Sequence, residues 1–259
     1  MMHIIQITLG GRLKQYAAPA NWNELNRKHL LQWCSILRME LTRKEALTMA
    51  VYLFYKIPMG IFSQASAAQD AQLRQTLDFL TQNALTKNTL GYIRILFKKF
   101  HGPANRLANL TIVEYRRTEL YYDLYSKTGK KQFLYLLAAT LYRPAGGDSD
   151  NDVRCRLTEK GVIRRANFFK WSLHPNALMA IKLFYEGCRQ YIFKSHPIIY
   201  KPNPKKATKQ SYSIVDLEDH ILAFSGDKLG NFNETQETNL YVFLKHMSQR
   251  IEEYEKRKK

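Results

Sequence analysis

Apolar positions along this chain recur mostly every three or four residues, and one short stretch at the start recurs every two. His3 to Leu9 sets β-branched Ile5 and Ile7 against Gln6 and Thr8, and a second extended run, Arg12 to Tyr16, follows Gly10-Gly11. Two such runs about a glycine pair predict a β-hairpin, because glycine supplies the positive φ of a primed turn. Beyond Pro19 the spacing is helical. Thr42-Arg43-Lys44-Glu45 has the form of a capping box, and Ala46, Leu47, Ala50, Val51 and Phe54 mark one face up to Pro58-Met59-Gly60. Leu90, Ile93, Phe97 and Phe100 also stand at helical spacing. Thr111 to Glu114 has the form of a second capping box, with Leu110 and Tyr115 placed as its hydrophobic staple. The helix behind it ends at Gly129. Phe133, Leu136, Leu137 and Leu141 mark the next, which Pro144 closes.

Residues 144–153 (PAGGDSDNDV) read as a loop by composition. A helix is expected over 158–171, and Pro175 suits the first position of another carrying Leu178, Ile181, Tyr185, Cys188 and Ile192. The stretch 194–213 holds three prolines, five lysines and no acid, and reads as an exposed linker or arm. Ser213 and Asp216 open a helix toward Phe224. In the last helix Leu240, Leu244, Met247, Ile251 and Tyr254 step by four and three residues, a heptad seam. The fold class expected is mainly α: a short N-terminal β-hairpin, a multi-helix bundle and a C-terminal helical pair. The organisation expected is a hairpin and bundle over 1–193, a basic arm over 194–213 and the helical pair over 214–259.

Composition narrows the function classes. The 259 residues include 45% hydrophobic, which excludes global disorder, and the formal charge is 40 − 22 = +18. Cys34, Cys155 and Cys188 form no CxxC and are too scattered for a disulfide scaffold. They fit a reduced compartment, the bacterial cytoplasm at synthesis, with association with a virion left open. The first residues lack the pattern of a secretory signal. Leu47–Tyr55 and Phe133–Tyr142 are each about half the ~20 residues of a membrane helix, so no membrane partner is expected.

No catalytic, cofactor or metal residues are assigned. The seven histidines form no HExxH or HxH, and no phosphate-binding glycine loop or GxSxG occurs. Asp148, Asp150 and Asp152 open like a calcium loop, but Val153 stands where an EF-hand needs glycine, even though Glu159 suits position twelve. An acidic solvated loop is the simpler reading. Arg143, after an apolar helix, suits that helix's terminal carbonyls. The charge points to polyanions: residues 86–131 hold ten Lys/Arg against three acids. Lys201, Lys205, Lys206 and Lys209 of the arm are the candidate polyanion contacts, expected to bind nucleic acid without sequence preference. The seam Leu240, Leu244, Met247, Ile251, Tyr254 packs on its own bundle or docks a partner helix, the first being the simpler expectation.

Several motifs occur in a fixed order. P-x-x-W-x-E-L stands at Pro19, Trp22, Glu24 and Leu25. L-Y-R-P stands at Leu141 to Pro144, followed by the acidic loop and a helix carrying Arg165, Ala166 and Phe169. Together they resemble a group of poorly characterised helical proteins of bacterial phages and prophage-like islands, several lying among tail-morphogenesis genes. The likeness spans roughly residues 15–254. It implies a non-enzymatic assembly protein or minor virion component that binds other phage-type structural proteins, in the manner of a tail-assembly chaperone. It supplies no catalytic residues. A basic nucleic-acid-binding protein of a phage or mobile element is the alternative.

Overall fold

The computed structural model describes residues 2–9, 12–64, 66–149, 152–200 and 231–257. Strands β1 (His3–Leu9) and β2 (Arg12–Ala18) open the chain, followed by α1 (Arg27–Leu37), α2 (Arg43–Tyr55), α3 (Met59–Phe62) and α4 (Ala67–Thr76). Next come β3 (Tyr92–Ile95), β4 (Lys98–His101), α5 (Ile112–Thr128) and α6 (Lys131–Leu141). Strands β5 (Ala145–Ser149) and β6 (Asp152–Arg154) precede α7 (Glu159–Ser172) and α8 (Pro175–Ser195). A C-terminal helical pair, α9 (Phe232–Glu237) and α10 (Leu240–Arg257), ends the described chain. The fold is mainly α, with an N-terminal antiparallel hairpin, a helix bundle and this pair. Lys201, Lys205, Lys206 and Lys209 of the arm and the helix expected from Ser213 lie outside the described residues, whereas Lys194 and Ser195, expected in the arm, end α8.

The chain divides into two compact units, Met1–Leu90 with His174–Gly187, and Gly91–Leu173 with Cys188–Lys259. In the first unit β1 pairs antiparallel with β2, placing Ile5 opposite Tyr16. The capping box at α2 forms as the sequence predicts: the Thr42 hydroxyl accepts from the Glu45 amide and the Glu45 carboxylate accepts from the Thr42 amide. Trp22 is buried, and its Nε1 donates to the carbonyls of Phe79 and Gln82 at 2.8 and 2.6 Å. Glu24 reaches back to the Ala20 amide at 3.0 Å. The W-x-E part of the opening motif is therefore a knot between chain segments some sixty residues apart. On α8, Gly187 lies flat on the backbone of Leu85; a Cβ there would stand 2.3 Å from the Leu85 carbonyl oxygen.

In the second unit α6 packs between α5 and α7. The Thr111 hydroxyl caps α5 by accepting from the Glu114 amide, but only this half of the predicted box forms. The Glu114 side chain turns inward instead. Residues 90–100 are a second correction. They form the hairpin β3–β4, not a helix, with Ile93 opposite Phe100 and Arg94 opposite Lys99. The i, i+3, i+4 spacing there coincides with an equally good alternation: Ile93 and Ile95 are buried while Tyr92 and Arg94 are exposed. The third correction is 144–153, expected as a loop, which carries the antiparallel pair β5–β6. Its glycines permit this: at Gly147 a Cβ would stand 2.0 Å from the Asp152 carbonyl oxygen, so a larger residue would push the strands apart. The segment between α9 and α10 pairs with the chain entering α5, Leu240 N to Leu110 O at 2.8 Å and Ile112 N to Thr238 O at 3.0 Å.

Candidate functional site

A dense polar cluster lies inside the second unit. Glu114, one turn into α5, is buried, and Arg143 and Arg154 are 1% and 2% exposed. Arg143 Nη2 stands 2.6 Å from Glu114 Oε1, and Arg154 Nη2 stands 3.1 Å from Glu114 Oε2. Asp152 completes the set, accepting from Arg154 Nε at 2.8 Å and Nη2 at 2.7 Å and lying 3.5 Å from Arg143 Nη2. Arg154 Nη1 also donates to the Leu141 carbonyl at 3.1 Å. Two cations and two carboxylates cancel, as buried charges must. Burial, joined by the neighbouring Arg154 charge and opposed by Glu114, holds the Arg143 pKa below the ordinary arginine range. For Arg154 burial works the same way, but the Asp152 hydrogen bonds and the Glu114 charge outweigh it and hold the pKa above that range. Both stay cationic at any physiological pH.

The cluster borders a cavity of about 460 Å³, also lined by Thr111, Cys155, Arg156 and Asn239. Its carboxylates are committed to arginines, so neither is available as a general base or cation ligand. This disposes of the calcium-loop reading at Asp152. The Asp148 side chain and Asp150 lie outside what is described. Among the described residues no group of three or more His, Cys, Asp or Glu is placed to hold a metal ion, and no helix is long and apolar enough to cross a membrane. The three cysteines form no disulfide; burial pushes the Cys34 thiol up to about 12 and raises Cys188 as well, which suppresses the nucleophilic thiolate.

What the cluster does is position a hairpin. The Arg143 main chain exchanges two hydrogen bonds with His101 at the end of β4, N to O at 3.0 and 2.7 Å. The arginine of the L-Y-R-P element thus holds β4 by its backbone and α5 by its side chain. The expectation that Arg143 serves helix carbonyls is replaced by this double grip.

The hairpin so held is basic and partly apolar. From Phe79 to Val113 the chain has no Asp or Glu and five Lys/Arg. Arg94 and Lys99 face each other across the strands, both exposed, and Lys99 Nζ sits 4.5 Å from the Tyr92 ring centroid. Like charges directly opposite destabilise a two-stranded ribbon, so the pair costs folding energy here. Lys98 leaves the other face of the hairpin and places its Nζ 5.5 Å from the centroid of Phe168 on α7. The turn between the strands is Leu96-Phe97. Leu96 takes φ +53°, a left-handed conformation costing a branched residue about 1–2 kcal/mol. Phe97 is 104% exposed and Leu96 76%. Trp171, three residues beyond Phe168, is 86% exposed with Lys170 Nζ 5.5 Å from its ring. Among the described residues, no carboxylate pairs with Arg94, Lys98, Lys99 or Lys170.

The sequence-predicted seam lies elsewhere in this unit. Leu240, Leu244 and Met247 are buried, Ile251 is half-buried, and only Tyr254 is exposed. Phe243, which the heptad omits, is fully buried beside them. The first three seam residues are thus core residues and offer no surface to a partner. The hairpin residues were hidden from a sequence reading because Leu96-Phe97 lacks the Asn-Gly or Gly-Gly of a favoured turn. The available signal was the absence of acids across residues 79–113.

Searches against family models, curated proteins and solved structures return no match for this chain.

Proposed function

We propose that this chain acts by binding rather than by catalysis, and that the basic surface formed by the exposed side chains on both sides of the β3–β4 hairpin and at the end of α7 takes the phosphate backbone of a nucleic acid. The carrying observation is the cross-strand Arg94–Lys99 pair, set in a segment without acids and without a carboxylate partner among the described residues. Such a pair is unfavourable in the free protein and is relieved by an anionic backbone laid between the two charges. The aromatic rings beside the cations suit a surface that tracks nucleic acid without reading a base sequence. With Arg94, Lys98, Lys99 and Lys170 each displacing a counterion, duplex affinity should fall about 10²-fold between 50 and 200 mM salt. Fluorescence anisotropy of a labelled 30-base-pair duplex checks this. Absence of binding at 50 mM salt would sink the proposal.

A second reading follows from the motif order that resembles phage tail-assembly proteins. In it, the exposed Leu96-Phe97 turn is the apolar centre of a docking patch and the lysines meet an acidic rim on a structural protein. The buried seam does not serve this reading. The same protein purified from cells and challenged with nuclease separates the two, since a protein partner survives digestion and a nucleic acid does not.

A further inference from the structure

Granting the nucleic-acid reading, we infer that the form bound more tightly is single-stranded, with Phe97 and Trp171 as two stacking platforms for unpaired bases. The inference rests on that reading and adds the ligand's strandedness. Both rings are as open to solvent as any in the described chain, at 104% and 86%. Each has a lysine next to it in the chain: Lys170 Nζ lies 5.5 Å from the Trp171 centroid, and Lys98, which follows Phe97, carries its ammonium to 5.5 Å from the Phe168 centroid. The hairpin meets α7 close to both platforms: Lys98, next to Phe97 in the chain, places its Nζ 5.5 Å from the Phe168 centroid, and Trp171 stands three residues, a rise of about 4.5 Å, further along α7.

Ring and cation alternate, and this decides the class of ligand. An apolar protein pocket that received Phe97 and Trp171 would have to desolvate the adjoining ammoniums, which is costly without matched carboxylates. A nucleotide strand offers a π-face and a phosphate in every repeat, so each ring meets a base while its neighbouring lysine meets the backbone. A duplex offers only the second half, since its bases are already stacked on one another.

The chain carries its own reporter. Of its three tryptophans, Trp22 and Trp33 are buried at 3% and 4%, and Trp171 alone is exposed. Titration with an unlabelled mixed-sequence 20-nucleotide single strand at low salt should quench tryptophan fluorescence, and Trp171→Phe should abolish the quench. By anisotropy, Phe97→Ala and Trp171→Ala should each weaken the single strand at least about fivefold, the lower end for one stacked base. The duplex of the same sequence should change less than twofold. Both residues are exposed, so circular dichroism of the variants should match the parent. Equal losses on duplex and single strand, quenching that persists in Trp171→Phe, or alanine variants that bind both forms normally would overturn the stacking while leaving backbone binding in place. If neither form binds the parent, both the stacking and the backbone reading are overturned.

Discussion

Replacing Glu114 by Gln perturbs the cluster that holds the hairpin while keeping side-chain volume constant. The two carboxylate oxygens serve different arginines, Oε1 accepting from Arg143 and Oε2 from Arg154. An amide has one acceptor and one NH₂ group, so either orientation turns N–H donors against one guanidinium. The swap also leaves Asp152 as the sole counter-charge for two cations that are almost fully buried. At an effective dielectric near 20, each N···O contact of about 3 Å carries roughly 5 kcal/mol of attraction, much of it spent on desolvation. Removing one member of a buried pair typically costs about 3–5 kcal/mol, and that is the expected loss. Urea denaturation followed by circular dichroism measures it. Adding Arg143→Met should restore about 1.5 kcal/mol or more, because the surviving amide then faces one cation and an apolar chain. A loss below about 1 kcal/mol for Glu114→Gln, or no recovery in the double variant, would refute the view of this cluster as a buried, charge-balanced clamp.

Two further variants probe the other unit. Gly187→Ala should cost about 1–3 kcal/mol, because its Cβ would stand 2.3 Å from rigid backbone at Leu85; an unchanged melting temperature would contradict the close approach. His29 is buried against Phe54, its Nδ1 has no hydrogen-bond partner, and burial, then the Lys56 and Lys28 charges, holds its pKa below 6.5. As pH falls through about 6.5 the unfolded chain takes up this proton first, so the neutral imidazole's contribution to stability is progressively lost toward the folded pKa. His29→Gln should therefore narrow the difference in melting temperature between pH 7.5 and pH 5, and an unaltered difference would count against it.

Where local chemistry and tertiary packing agree, the elements could be read from residues alone. Thr42 with Glu45, Gly129 and Pro175 each mark a helix boundary through an interaction confined to a few neighbours. The errors fall where a distant partner decides. Glu114 matches a capping box in sequence, but buried Arg143 and Arg154 offer its carboxylate a charged partner that a surface amide cannot rival. Ile93 and Phe100 fit helix and strand spacing equally, and the decision falls to cross-strand pairing around a Leu96 held at positive φ. Phe97, placed by its spacing on a helix, is instead fully exposed in the hairpin turn. The seam was legible as an apolar stripe; its burial depends on the rest of the second unit. The candidate site was visible only as net charge, since its geometry depends on Arg143 bonding the backbone of His101 more than forty residues away.

The hairpin's role is tested most directly by the slope of log affinity against log salt for duplex DNA, compared between the parent chain and Arg94→Ala/Lys98→Ala/Lys99→Ala. The three side chains are exposed, so the variant should fold normally. If they contact phosphates, the slope should become shallower by about 2–3 and affinity should fall similarly for unrelated sequences. An unchanged slope with unchanged affinity would place the phosphate contacts elsewhere on the chain and contradict the assignment of the β3–β4 hairpin as the binding face.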